Sequence, residues 1–182
     1  MKVKNIILKA CDFIENNDLK APLESNATLT DAQQELADKL VRYFNYVQNE
    51  IATEYIPVIH REAVSAKDKL EFSSLAKTIS EVIYIKDSQG KRISFRTFPD
   101  KIVFSGEISE ITYSFIPEEN TIGEDILFLV PERVYAYGIA REYYLFEGFT
   151  DKATLFEGRF KSSIQNLFKK GRNIVLPVRE WL

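Results

Sequence analysis

One cysteine and one histidine in a chain of 182 residues leave little room for the commonest catalytic and metal-binding chemistries. The lone Cys11 forms no disulfide within the chain, which points to a reducing compartment. Its place in an apolar helical pattern with Ile7, Leu8 and Ile14 makes it a small core residue rather than a nucleophile. The lone His60 excludes a two-histidine zinc site, and a Cys11–His60 pair would lack an orienting third member. Beside Arg61, His60 reads as peripheral. The seven glycines are scattered over turns and helix ends and make neither phosphate-cradling pattern, so nucleotide binding is not expected. Long apolar runs are missing too. The opening MKVKNIILKACDFIENN is broken by Lys9 and Asp12, so it is neither a signal-peptide core nor a membrane span. The expectation is a chain made and kept in the cytoplasm unless an assembly exports it, with no membrane contact, no cofactor, no metal and no catalytic residue.

What is present is a large apolar complement, 45% hydrophobic and 13% aromatic. That suffices to bury a core without disulfide or metal staples. No repeat, low-complexity tract or Gly/Ser linker divides the chain, so a single domain over residues 1–182 is expected. The net charge of −3 argues against a protein built to wrap nucleic acid. Its distribution is uneven. Residues 105–151 carry ten acidic side chains against Arg133 and Arg141, a net −8, whereas residues 152–182 carry seven basic against Glu157 and Glu180, a net +5. Solvated faces account for such a pattern; so does a subunit whose acidic flank meets the basic flank of its neighbour, as in a ring closed by heterologous contacts.

Helical spacing opens the chain over Val3 to Asn16, and Asp18 to Thr28, with Pro22, Ser25 and Asn26, reads as a connector. Thr30-Asp31-Ala32-Gln33 then matches a capping box. From it, Leu36, Leu40, Tyr43, Phe44, Val47, Ile51 and Tyr55 mark one buried face, with Asp38, Lys39, Arg42, Gln48 and Asn49 outward, until Pro57 stops the helix. The period then shortens to two. Glu81–Lys86 reads as a strand, Asp87-Ser88-Gln89-Gly90 as a tight turn, and Arg92–Phe98 as the return strand of a hairpin. Pro99-Asp100 turns the chain into a short strand, Lys101–Phe104, and Glu110–Ile116 alternates again before Pro117. Pro131 opens a helix whose inner side carries Val134, Tyr137, Gly138, Arg141, Tyr144 and Leu145, closed by Gly148. A cap at Thr150 starts a last helix with Phe156, Phe160, Ile164, Leu167 and Phe168 on its apolar face, ended by Gly171. These two helices should form an antiparallel hairpin, with Gly138 facing the partner helix. The fold class is α+β: a mainly helical bundle, about 1–56 and 127–170, with a small antiparallel sheet inserted at about 79–117.

Carboxylate pairs such as Glu107 with Glu110, or Glu118 with Glu119, offer acid–base chemistry in principle. Their setting at strand ends favours solvated charge, which leaves a carbohydrate-active enzyme as the weaker alternative. Arg92 and Arg96 share one strand face whose reverse carries Ile93, Phe95 and Thr97. Two arginines make a thin footprint for the other alternative, a small regulatory or nucleic-acid-binding module. The tail, 171–182, is apolar, and Pro177 bars a long helix. It packs on its own domain or docks on a partner, and Arg172, Ile174, Val175, Leu176, Val178 and Trp181 form the candidate partner interface.

The order of these elements, the strand end Tyr113–Pro117 and the helix Val134–Gly148, with Tyr137, Gly138, Ala140, Tyr144 and Leu145 in place, resembles the head-to-tail connector (adaptor) proteins of tailed bacteriophages. Phe156, Phe160 and Leu167 match that family's aromatic closing helix. The likeness runs over roughly residues 30–170; residues 1–28 and 57–78 have no counterpart in it. It implies a virion protein, made in the host cytoplasm, that forms a homo-oligomeric ring. The ring would join the portal protein to the tail or to further connector proteins and let DNA pass through its lumen without reading sequence.

Overall fold

The computed structural model describes residues 1–126 and 130–170. The described residues form an α+β fold of five α-helices and five antiparallel strands, divided into two compact units. A helical unit comprises Met1–Val47 and the chain from Asn120 onward; a β unit comprises Gln48–Glu119.

In the helical unit, α1 (Val3–Phe13) buries Val3, Ile6, Ile7, Ala10 and Cys11 at the three-and-four spacing of one face. The stretch from Asp18 to Thr28 is not a connector throughout, because α2 occupies Asn17–Ser25. The Asn16 side chain caps it by accepting from the Leu19 amide at 2.9 Å, and Leu19 and Leu23 are buried. Pro22 sits inside this helix and has no N–H to offer the Asp18 carbonyl. The Gln33 side-chain amide donates to that carbonyl instead, at 2.9 Å.

Helix α3 (Asp31–Glu50) starts at the expected capping box: the Thr30 amide donates to Gln33 Oε1 at 2.9 Å, and the Gln33 amide reaches Thr30 Oγ1 at 3.4 Å. It continues as a π-helical turn, Ile51–Tyr55, before Pro57. Leu40, Tyr43, Phe44, Val47 and Ile51 are buried as the spacing predicts. Gln48 is not outward; it is 2% exposed, and its amide donates to the Glu118 carbonyl at 3.3 Å, so a polar side chain sits inside because a backbone acceptor awaits it.

The centre of the helical unit is α4 (Glu132–Phe146), where seven consecutive residues, Val134 to Ala140, are buried. Two turns buried on every side mean neighbours all round. Phe13 of α1 stacks on Tyr137 at 4.8 Å, Phe44 of α3 lies 5.4 Å from Tyr135, and α5 (Thr150–Lys170) returns along α4 as the other arm of a hairpin. Gly138 does not face α5. A Cβ there would stand 2.5 Å from Val47 Cγ1, so the glycine lets α3 approach α4. Leu145 and Phe168, expected on inner faces, are 57% and 51% exposed. Thr150 is the first residue of α5 rather than its cap, since the Phe149 carbonyl already accepts from the Ala153 amide at 3.0 Å.

The β unit is organised around one strand. Lys101–Phe104 and Glu110–Ile116 are not separate strands: β5 runs unbroken over Lys101–Phe115. Gly106, in the gap between the two expected strands, has a φ of 94° and sits in a bulge opposite Asp68, itself at φ 62°, whose carboxylate accepts the Gly106 amide at 3.0 Å. On one side β5 pairs with β1 (Val58–Glu71), and on the other with β2 (Ile79–Lys86) and β4 (Phe95–Thr97). The return strand Arg92–Phe98 is therefore divided: β3 (Arg92–Ile93) completes the hairpin with β2, whereas β4 turns through Pro99-Asp100 onto β5. The core of this unit includes Leu70, Val82, Ile85, Ile102, Phe104, Ile108, Ile111 and Tyr113.

Candidate functional site

The six residues of the expected partner interface, Arg172, Ile174, Val175, Leu176, Val178 and Trp181, lie outside the described residues. The other candidates can be placed. Cys11 is fully buried on α1, and burial, helped by the Asp12 charge, pushes its thiol up to about 11. A thiolate is thus disfavoured at neutral pH. His60 belongs to the other unit, on β1, where it packs edge-on against Tyr113 and Phe115 at 5.6 and 6.1 Å.

Six of the ten carboxylates of the acidic segment are in ion pairs among the described residues. Glu110 takes both Lys86 at 3.1 Å and Arg61 at 3.4 Å. Glu118 meets Lys77 at 2.5 Å, which holds its carboxyl below the usual range. In the helical unit Asp125 meets the Met1 amino group, Glu132 meets Lys9, Glu142 meets Arg141 and Glu147 meets Lys39. The segment of net −8 is therefore no single acidic flank: it is shared between two units and partly neutralised within each. Glu62, which sequence reasoning passed over, accepts from the Tyr113 hydroxyl at 2.7 Å and from the Ala76 amide at 3.1 Å. Burial, reinforced by that bond, pushes the Tyr113 phenol up to about 12, so the pair fixes the end of β5 rather than exchanging protons near neutrality. Arg92 lies over the Tyr84 ring at 4.4 Å, while Arg96 is exposed on β4. Among the described residues no three His, Cys, Asp or Glu side chains are grouped to hold a metal ion, and no helix is long and apolar enough to cross a membrane.

The feature of the helical unit least expected from a self-contained domain is an apolar edge where α3 passes the C-terminal end of α4. Tyr46, Leu145 and Phe146 are 58%, 57% and 72% exposed, and together with Tyr43 they line one cleft. Phe149, just beyond α4, is exposed as well. Within the cleft wall the Lys39 ammonium lies over the Phe146 ring at 4.3 Å while bonded to Glu147 at 2.6 Å. Burial is the largest single influence and works against that charge, but the Glu147 bond together with the electrostatic pull of Tyr43, Glu147 and Tyr143 outweighs it and raises the Lys39 pKa above its ordinary value. The Tyr43 hydroxyl is buried there with no hydrogen-bond partner among the described residues. Two physical properties result: apolar area open to water, and a polar atom able to reward a group brought to it. The signal that could have found Phe146 and Phe149 is the density of aromatic residues in YYLFEGF, which exceeds what a helix end can bury. The chain matches no protein-family model and no curated protein.

Proposed function

We propose that the chain is a structural virion protein, a connector subunit that forms a ring between portal and tail and lets DNA pass through its lumen. The observation that carries this reading is the apolar edge of Tyr46, Leu145 and Phe146 around a cleft in an otherwise well-packed helical unit. Exposed aromatic side chains gathered in one place are a cost in water unless another protein covers them. The kind of assembly follows from the resemblance carried by Tyr113–Pro117 and Val134–Gly148. DNA enters as cargo in a lumen, in keeping with the small net charge of −3. In this reading the protein is a component of the virion, made in the host cytoplasm, and is not an enzyme.

Light scattering and electron microscopy, on the protein alone and with a phage portal protein, test the proposal. Rings, or a stable complex with the portal, are expected. Phe146→Glu combined with Tyr46→Glu should leave the helical circular dichroism unchanged and abolish the assembly. A wild-type monomer that ignores the portal would sink the reading.

A further inference from the structure

We infer that neighbouring subunits of the ring are joined head to tail through the helical unit, an acidic stripe of α3 on one copy entering an arginine-lined groove between α4 and α5 on the next. The inference rests on the connector reading and names the contact that would close the ring.

The groove has an area of unusual charge. Arg133 from α4 and Arg159 from α5 bracket the Tyr137 ring, at 5.2 and 6.0 Å from its centre. Thr154, Ser162 and Ser163 supply hydroxyls along a groove of ≈ 670 Å³. Both arginines are exposed, and neither has a carboxylate partner among the described residues. Elsewhere on the same two helices the opposite holds: Arg141 is bonded to Glu142 and to Glu157, and Lys161 to Glu157. Two guanidinium groups gathered about one ring, with hydroxyl donors beside them and no carboxylate partner among the described residues, are set for carboxylates from outside.

The complementary surface is on α3. Asp31, Glu35 and Asp38, with Gln34 among them and Arg42 at the end, make one exposed stripe. None of the three carboxylates is in an ion pair among the described residues; the Asp38 carboxylate accepts only from Gln34, at 2.9 Å.

The two surfaces lie on different sides of one unit. Val47 is the residue through which α3 meets Gly138 of α4. At 3.6 residues per turn, Asp31, Glu35 and Asp38 stand between about 120° and 180° around α3 from Val47, so the stripe points away from α4. On α4, Arg133 stands about 140° around from Gly138, so the groove opens away from α3. Patches of opposite charge that face apart cannot satisfy each other within a copy. They can between copies, and such a heterologous contact propagates until it closes. Nucleic acid is the other polyanion that two arginines could take. The second copy is favoured because the chain itself presents the matching carboxylates, unpaired and on a rigid helix.

The test uses two full-length variants, one with the groove reversed (Arg133→Glu with Arg159→Glu) and one with the stripe reversed (Glu35→Lys with Asp38→Lys). All four positions are exposed, so the fold should survive, as circular dichroism will report. Mass is then measured by light scattering, alone and on the portal. Each variant alone should lose the ring. Mixed one to one, they should regain a ring of alternating copies, because both contacts between unlike copies are attractive and both between like copies are repulsive. The four-fold variant should regain the ring. Rings that persist in either double variant overturn this interface and leave the connector reading intact, as does loss of the ring without rescue in the mixture or the four-fold variant. A wild type that neither forms rings nor binds the portal overturns both. Loss of DNA binding in the groove variant, with its rings unchanged, assigns the groove to nucleic acid and overturns the contact between copies.

Discussion

At Gln33 one side chain closes two helix ends. Its Oε1 accepts the Thr30 amide at the start of α3, and its Nε2 donates to the Asp18 carbonyl that Pro22 leaves without a partner in α2. Replacing it separates the two duties. Gln33→Ala removes both and should cost about 1–2 kcal/mol of stability, the sum of a weakened cap and an unsatisfied carbonyl. Gln33→Glu keeps an acceptor for Thr30 but has no N–H for Asp18 at neutral pH, so its cost should be smaller than that of Gln33→Ala yet not zero. Urea unfolding of the three proteins measures this order. Equal stability of Gln33→Glu and wild type would show that the Asp18 bond contributes nothing.

Between elements, the tightest approach is Val47 of α3 against Gly138 of α4, where the Val47 Cβ itself is 3.2 Å from the place a new Cβ would take. A β-branched side chain has few rotamers in a helix with which to retreat. Gly138→Ala should therefore destabilise by about 1 kcal/mol net, overpacking exceeding the gain in helix propensity. In a Val47→Ala background the sign should reverse, because the space is then free and only the propensity gain remains. Thermal unfolding of the four proteins gives the cycle, and additivity would refute the contact.

The same scale shows what the sequence could and could not disclose. The faces of α1 and α3, the hairpin of α4 with α5 and the Asp87–Gly90 turn are legible because local spacing and capping decide them. Helix α2 was hidden because what makes Pro22 tolerable inside it is a side chain from another helix. Strand β1 carries Arg61, Glu62, Lys67, Asp68 and Lys69, and as an edge strand it is only half-buried on its inner face, so alternation is faint. The continuity of β5 through Gly106 was hidden because the bond that supports the bulge comes from Asp68 on a different strand. As to the site, the groove arginines stand 26 positions apart on two helices, and only the hairpin brings them to one ring.

For the molecule as a whole, the pairing of Val58 with Phe115 matters most, since it sets the entrance of the β unit beside its exit. Paired antiparallel residues are about 5 Å apart, a gap that a few residues can span. Replacing Val58–Phe115 by a short Gly/Ser linker should leave a helical unit that unfolds cooperatively with its helical signal intact. An aggregated or molten product would mean that the helices need the sheet. The same pairing also decides how the protein bears load. A pull transmitted through the chain to the β unit arrives at two neighbouring ends of adjacent strands, so the ladder between β1 and β5 opens from its base one pair at a time, like a zipper, instead of resisting in shear along its length.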